Sequence, residues 1–391
     1  MSLLCQACRW TARQIPRAWV VGVLSLVQLA SAHAAEGVRY ITCPGGLPAG
    51  RMAVVSDITG TSEVWVFDED GATRQLTKAR LIRPVTVWAT AGHRRRDVSW
   101  EERKVPHLGG AYVREATLSP DGEWVAYVLY NAPHHAIEIW VVGADGEAEP
   151  VMLTTGHSDF DPFWFPDSKT IGFARVRDVD DRSVDDIYVV DREKKEPERL
   201  LASLGDDWNI VRMACSPDGK TIILERFCPL PPGGGLICRF HSLWTLDVES
   251  GKAAKLHMKG ESFSRPAWFP DGSGIVYCAL QHAEASWELR KCRPGGSGEE
   301  CLFSRPHYIP DCLTVSPDGR YVAFVHDTWA APSTIRILEI GTGRLSELST
   351  SRLYALIPKE RPSLKSPSWG PMPAEAAQDT QEQVRQEGEA E

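Results

Sequence analysis

Few side chains in this 391-residue chain stand in the patterns that chemistry demands. His134 and His135 are neighbours, and adjacent loop side chains aim poorly at one metal ion, so a solvated loop is expected there. Asp178, Asp180, Asp181, Asp185 and Asp186 form an acidic run with a superficial likeness to a calcium loop. The central glycine and closing glutamate of an EF-hand are missing, so a polar turn is expected. No G-x-S-x-G, H-E-x-x-H or G-x-x-x-x-G-K-[ST] pattern occurs, so no catalytic residue, metal or cofactor is assigned. Arg94, Arg95, Arg96, Trp100 and Arg103 cluster in a chain that is otherwise acidic. Guanidinium groups beside indoles suit contact with an acidic protein partner, with Trp88 and Trp100 as anchors. The competing reading is a solvated loop whose tryptophans cover a sheet edge.

The compartment bears on what these groups can do. Arg9, Arg13 and Arg17 precede an apolar stretch from Ala18 to Ala30, and Ala32-His33-Ala34 fits an export cleavage site. About a dozen apolar residues is short of the roughly 20 that span a bilayer as a helix. Residues 1–34 are therefore expected to be a cleaved signal peptide and the protein periplasmic, or secreted, with no membrane span after cleavage. The net charge of -9 falls further once those three arginines leave, which argues against a nucleic-acid partner. Of the 10 cysteines, Cys5 and Cys8 lie in the leader. An oxidising compartment favours disulfides among the rest. Cys228 and Cys238 flank one short Gly-rich loop, and Cys292 and Cys301 flank another. Each pair is expected to form a local bridge, while the pairing of Cys43, Cys215, Cys278 and Cys312 stays open.

The elements that must position these residues come from a repeat. Ser119-Pro120-Asp121-Gly122 recurs as Phe165-Pro166-Asp167-Ser168, Ser216-Pro217-Asp218-Gly219, Phe269-Pro270-Asp271-Gly272 and Ser316-Pro317-Asp318-Gly319. The prolines step by 46, 51, 53 and 47 residues. Proline presets φ, aspartate caps, and glycine accepts positive φ, so each copy is a tight turn. An apolar strand follows each turn, and a second strand centred on Trp140, Tyr188, Trp244 or Trp287 follows in the first four copies. Four short strands per repeat predict an all-β propeller blade. Pro367-Ser368-Trp369-Gly370-Pro371 matches Pro162–Pro166 and Pro266–Pro270 in register. It is expected to join the N-terminal strands of residues 51–77, closing a ring of six antiparallel four-stranded blades and hiding both edges.

The repeated (S/F)-P-D-G, the preceding P-x-W and the later (I/L)-(W/Y)-x-x-D resemble the TolB-like, or PD40, six-bladed β-propellers. The resemblance covers roughly residues 38–371 and implies the fold; it carries no specific activity. The propeller is set at residues 35–373, and residues 374–391 are expected to be a disordered acidic tail.

Chain direction alternates between the two faces of a propeller. The Pro-Asp-Gly turns are uniform, whereas the second-to-third-strand loops, among them 176–186 and 228–238, and the connection 80–113 vary and should form the working face. Five residues before the motif prolines stand Glu115, Asp161, Arg212, Arg265, Cys312 and Ser366, expected to ring the channel mouth on that face, with Asp311 and Lys365 one step out. Such a ring could hold a peptide or a small anion. Small residues three back and bulky ones two back, among them Trp164, Trp268 and Trp369, predict tryptophans that fill the space between blades. The sequence thus points to an exported, monomeric, non-catalytic protein-binding scaffold. Its alternatives are a sugar lyase or hydrolase, or a small-ligand sensor, acting in the channel.

Overall fold

All five Pro-Asp-Gly-type turns fold alike. In each, the residue before proline bonds across the turn, as in Ser119 N to Trp124 O at 2.8 Å and Ser316 N to Tyr321 O at 2.9 Å. The aspartate Oδ1 of Asp121, Asp167, Asp218, Asp271 and Asp318 accepts the amide two residues on, at 2.9–3.1 Å. Gly122, Gly219, Gly272 and Gly319 sit at φ between 71° and 75°, and Ser168 takes φ 53° in the glycine-free copy. The turn chemistry in the repeat is therefore the turn geometry of the fold.

The computed structural model describes residues 41–372 apart from 43–46, 57–61, 71, 78–110, 132–135, 180–181, 194–197, 206–208, 229–239, 260–261, 282–285, 307–309, 329–330 and 351–363. A short strand β1 (Ile41–Thr42) precedes β2 (Arg51–Ser56), β3 (Glu63–Phe67) and β4 (Thr73–Gln75), three strands of blade 1. Blade 2 is β5 (Ala111–Leu118), β6 (Trp124–Asn131), β7 (Ala136–Gly143) and β8 (Val151–Met152). Blade 3 is β9 (Asp159–Trp164), β10 (Thr170–Val179), β11 (Arg182–Asp191) and β12 (Arg199–Ser203). Blade 4 is β13 (Ile210–Cys215), β14 (Thr221–Cys228), β15 (Phe240–Asp247) and β16 (Ala253–Lys255). Blade 5 is β17 (Ser262–Trp268), β18 (Ile275–Gln281), β19 (Ser286–Cys292) and β20 (Glu300–Pro306). Blade 6 is β21 (Pro310–Val315), β22 (Tyr321–Thr328), β23 (Ala331–Glu339) and β24 (Leu345–Thr350), and β25 (Leu364–Gly370) is the last described strand.

Ring closure follows the sequence expectation, since β25 pairs with β2 from Arg51↔Gly370 to Ser56↔Leu364. A second tie was not foreseen: β1 adds to the outer edge of blade 6 through Ile41↔Thr350 and Thr42↔Ser349. Alternation along the strands sends side chains into two interfaces at once. Val125, Tyr127 and Leu129 face blade 1, whereas Ala126 and Val128 face blade 3. Each neighbouring pair of blades thereby encloses one apolar cluster. The tryptophans fill these seams as expected. Trp164 Nε1 donates to Thr117 O of blade 2 and Trp268 Nε1 to Ala214 O of blade 4, both at 3.0 Å.

Two expectations need correction. Residues 176–186 are not a loop: β10 and β11 stay paired through Val176↔Asp185 to Val179↔Arg182, so this stretch is a long hairpin. The expected bridge between Cys292 and Cys301 is not formed; both are free thiols. A β-bulge between Leu289 and Arg290 sets Arg290, not Cys292, opposite Cys301. Cys292 is buried with its Sγ 3.9 Å from Met258 Sδ, while Cys301 is exposed. The expected bridge between Cys228 and Cys238 is not shown either. Cys238 itself lies outside the described residues.

Candidate functional site

Every inner strand carries a bulge at the same place. Register breaks fall between Val113 and Ala116, Ile210 and Arg212, Ser264 and Ala267, and Asp311 and Thr314, and opposite the pairs Gly172/Ala174 and Ala53/Val55. A bulge leaves one residue out of the ladder and re-aims its side chain. In five blades the residue five positions before the turn's proline is among those left out; in blade 4 Val211 leaves the ladder and Arg212 stays in it opposite Glu225. Asp161, Arg265, Cys312 and Ser366 take φ 51°, 57°, 49° and 47°, a left-handed backbone that costs roughly 1–2 kcal/mol for a residue with a Cβ.

Carboxylates capture the amides that the bulges release. Asp161 N donates to Glu115 Oε2 of blade 2 at 2.9 Å, and Arg265 N donates to Glu225 Oε2 of blade 4 at 2.8 Å. Cys312 N donates to Asp311 Oδ1 at 2.7 Å. A charge-assisted bond of this kind is worth about 1.5–3 kcal/mol, enough to offset the backbone cost. Glu225 itself is fully buried, and its Oε1 lies 2.5 Å from His241 Nδ1.

The result is a compact charged cluster at one mouth of a channel of about 640 Å3, whose wall runs from Glu115, Asp161, Arg212, Arg265, Cys312 and Ser366 down to the motif prolines at the other mouth. Arg212 reaches across the bore from blade 4. Its Nη1 meets Glu115 Oε1 of blade 2 at 3.2 Å and Asp161 Oδ1 of blade 3 at 2.9 Å, and its Nη2 leans on Cys312 Sγ of blade 6 at 3.6 Å. Arg265 pairs with Asp311 through Nε at 2.6 Å and, at 3.5 Å, through Nη2.

Burial pushes the Asp161 carboxyl up to about 7; Arg212 pulls it down and Glu115 adds to the rise. Burial works against the Arg212 charge, but Cys312, Glu115 and Asp161 outweigh it and hold the group above its ordinary value. Arg265 is likewise held up by Asp311 and Glu225 against burial. The Cys312 thiol is pushed up to about 11 by burial, with Arg212 pulling the other way, so it is protonated at neutral pH and a poor nucleophile.

The structure thus brings together Glu115, Asp161, Arg212, Arg265, Asp311 and Cys312. Lys365 occupies its place in β25 opposite Val55, but its side chain is not among those described. Arg94, Arg95, Arg96, Trp100 and Arg103, with His134 and His135, lie outside the described residues. Asp185 and Asp186 serve the sheet: Asp185 Oδ2 accepts Ile210 N at 2.7 Å, and Asp186 pairs with Arg177 Nε at 2.7 Å. Among the described residues no group of three or more His, Cys, Asp or Glu side chains is arranged to hold a metal. Sequence reading missed Glu225 and His241. Glu225 stands eight residues after its motif proline, where the other blades carry Val128, Ala174, Cys278 and Val325, and aligning the repeats by eye would have exposed that charge.

Residues 113–373 match the TolB beta propeller domain family. No curated protein sequence matches the chain. Among solved structures, TolB from Acinetobacter baumannii is similar at 16% identity over 82% of this chain and 67% of that one, with a TM-score of 0.57. A chain from the nidogen/laminin complex is similar at 10% identity over 82% of this chain and 98% of that one, with a TM-score of 0.52. These likenesses concern the fold, and the six blades, the turns and the matched span together place the chain in the TolB β-propeller domain family.

Proposed function

We propose that the protein is an exported, periplasmic, non-catalytic scaffold that binds a protein partner through the face bearing the charged channel mouth. The observation carrying this reading is the gathering of Glu115, Asp161, Arg212, Arg265 and Cys312 at one mouth, where bulges hold Asp161, Arg265 and Cys312 at a cost in backbone strain. Strain held by dedicated carboxylates on one face of a rigid disc belongs to a binding site rather than to packing. Aromatic groups lie on the strands that carry the cluster: Tyr112 is 37% exposed with its ring 4.9 Å from that of Tyr130 at a tilt of 44°, and Phe227 meets His241 edge-on at 5.7 Å. Such rings with arginine are the residue types that dominate protein interfaces. The basic segment with Arg94, Arg95, Arg96, Trp100 and Arg103 is proposed as a second contact. Residues 1–34 are proposed as the signal peptide. Among the described residues no helix is long and apolar enough to cross a membrane.

In-cell crosslinking and pull-down from the envelope fraction tests the reading. A discrete protein should be recovered with the wild-type chain and lost with either Arg265→Met or the triple change of Arg94, Arg95 and Arg96 to Ala. Equal recovery with both variants would overturn it. A second reading, a small-ligand sensor, draws on the channel volume of about 640 Å3, within the range of about 300–1,000 Å3 that small-molecule sites occupy.

A further inference from the structure

Away from the channel, two soft donors face each other in the seam between blades 4 and 5. Met258 lies in the connection from β16 to β17, between the exposed His257 and Lys259, yet its Sδ is 3.9 Å from Sγ of Cys292 at the end of β19. The chain is pinned on both sides of the methionine. Leu256 N donates to Leu243 O of blade 4 at 2.9 Å, and Lys259 N donates to Glu299 Oε1 of blade 5 at 2.9 Å. The turn between β19 and β20 closes over the thioether: Gly296, at φ 84°, would set a Cβ 3.4 Å from Met258 Cγ. Cys292 is buried and a free thiol, because the β-bulge that sets Arg290 opposite Cys301 leaves it unbridged. Apolar packing needs no sulfur on either side of such a contact, since leucine replaces methionine at little cost.

We propose that Cys292 and Met258 form a binding site for a soft monovalent cation, copper(I) or silver(I). Thiolate and thioether sulfur favour copper(I), whereas magnesium and calcium take oxygen ligands. A structural zinc takes four ligands, and among the described residues no three His, Cys, Asp or Glu side chains converge. With a bond of about 2.3 Å to each sulfur, the length of a Zn–S bond, the observed separation opens an S–metal–S angle of about 116°, close to trigonal. This goes beyond the scaffold reading and does not depend on it, because the pair lies outside the charged channel mouth.

Charge fits a monovalent ion. As the ion binds, the Cys292 thiol gives its proton to solvent, and the thiolate–metal unit that remains is neutral. A buried seam accepts a neutral unit at far lower cost than a bare thiolate. Burial pushes the free thiol up to about 12, with Glu299 adding to the rise, so without metal the sulfur keeps its proton. Glu299 is itself balanced: its Oε2 accepts Tyr277 Oη at 3.0 Å and Arg290 Nη1 at 3.4 Å. The half-buried methionine is the side from which an ion can enter.

Anaerobic titration of the reduced full-length mature protein with copper(I), read by competition against bathocuproine disulfonate, tests this. The Cys301→Ser chain is the reference, because the exposed Cys301 thiol would otherwise take the ion on its own. The tightest copper(I) site of the reference should weaken at least tenfold in Met258→Leu and disappear in Cys292→Ser. Met258→Leu conserves volume, so its melting temperature without metal should match the reference, and its result stays readable if Cys292→Ser fails to fold. X-ray absorption of the selenomethionine-labelled reference should place selenium beside copper, a signal absent from Met258→Leu. Equal copper(I) affinity in Met258→Leu and the reference would overturn the proposal. So would no tight copper(I) site in the reference, an unchanged affinity in a folded Cys292→Ser, or no selenium beside the metal.

Discussion

At Asp161, burial and the Glu115 carboxylate outweigh the help of Arg212, so the folded chain holds this acid up to about 7 against an ordinary value of 3.8. The folded state then binds a proton that the unfolded chain releases at lower pH. Stability at this residue is intact below about pH 4 and is lost as pH rises towards 7. Asp161→Asn, which tolerates the left-handed backbone, should raise the melting temperature at pH 8 and leave it nearly unchanged at pH 4. Calorimetry at the two pH values checks this, and a rise at both would deny the assignment. Glu225 matters through its contacts. It is fully buried, ties His241 and holds the amide of Arg265, so Glu225→Ala strands two half-buried partners. A loss of about 1–3 kcal/mol is expected by urea denaturation.

Among elements, the Pro-Asp-Gly turns and the bulged inner strands differ in what they require. Gly319 sits at φ 72° with open space where a Cβ would go, so Gly319→Ala meets only backbone strain, about 1–2 kcal/mol by chemical denaturation. Gly172 has an ordinary backbone but lies against Phe163, whose ring would be 2.1 Å from an added Cβ. Gly172→Ala must therefore displace a ring in the seam between blades 3 and 4, and should cost more than Gly319→Ala despite the easier φ. The turns were legible in the sequence because Pro, Asp and Gly each report a local conformation. The bulges were not. A left-handed Arg265 or Cys312 has no local preference to announce it, and what holds it there is a carboxylate from the neighbouring blade or residue.

For the whole disc, β25 acts as a keystone bonded on both flanks. Trp369 N donates to Thr314 Oγ1 of blade 6 at 3.0 Å, Ser368 Oγ accepts Leu118 N of blade 2 at 2.8 Å, and Ser366 Oγ donates to Arg114 O at 3.1 Å. Removing residues 364–391 should open the ring, expose the β2 edge and replace cooperative unfolding by aggregation. Removing only residues 374–391 should leave the melting transition in place. Circular dichroism and gel filtration of the two truncations distinguish these outcomes, and a cooperative monomer after the longer deletion would refute the keystone role.

The sequence by itself determined the blade repeat, its turns, the closure of the ring by the last strand, and the positions five before each proline that line one mouth. These depend on period-2 patterning and turn chemistry, which act over a few residues. Only the tertiary structure decided that Arg212 crosses the bore to blades 2, 3 and 6, that Glu225 supports Arg265, and that Cys292 and Cys301 stay apart. The first two outcomes turn on bulges, burial and pairing between residues 40 to 100 positions apart, and the third on one register slip. Charges in this protein acquire their meaning where six strands converge, and convergence is a property of the closed ring.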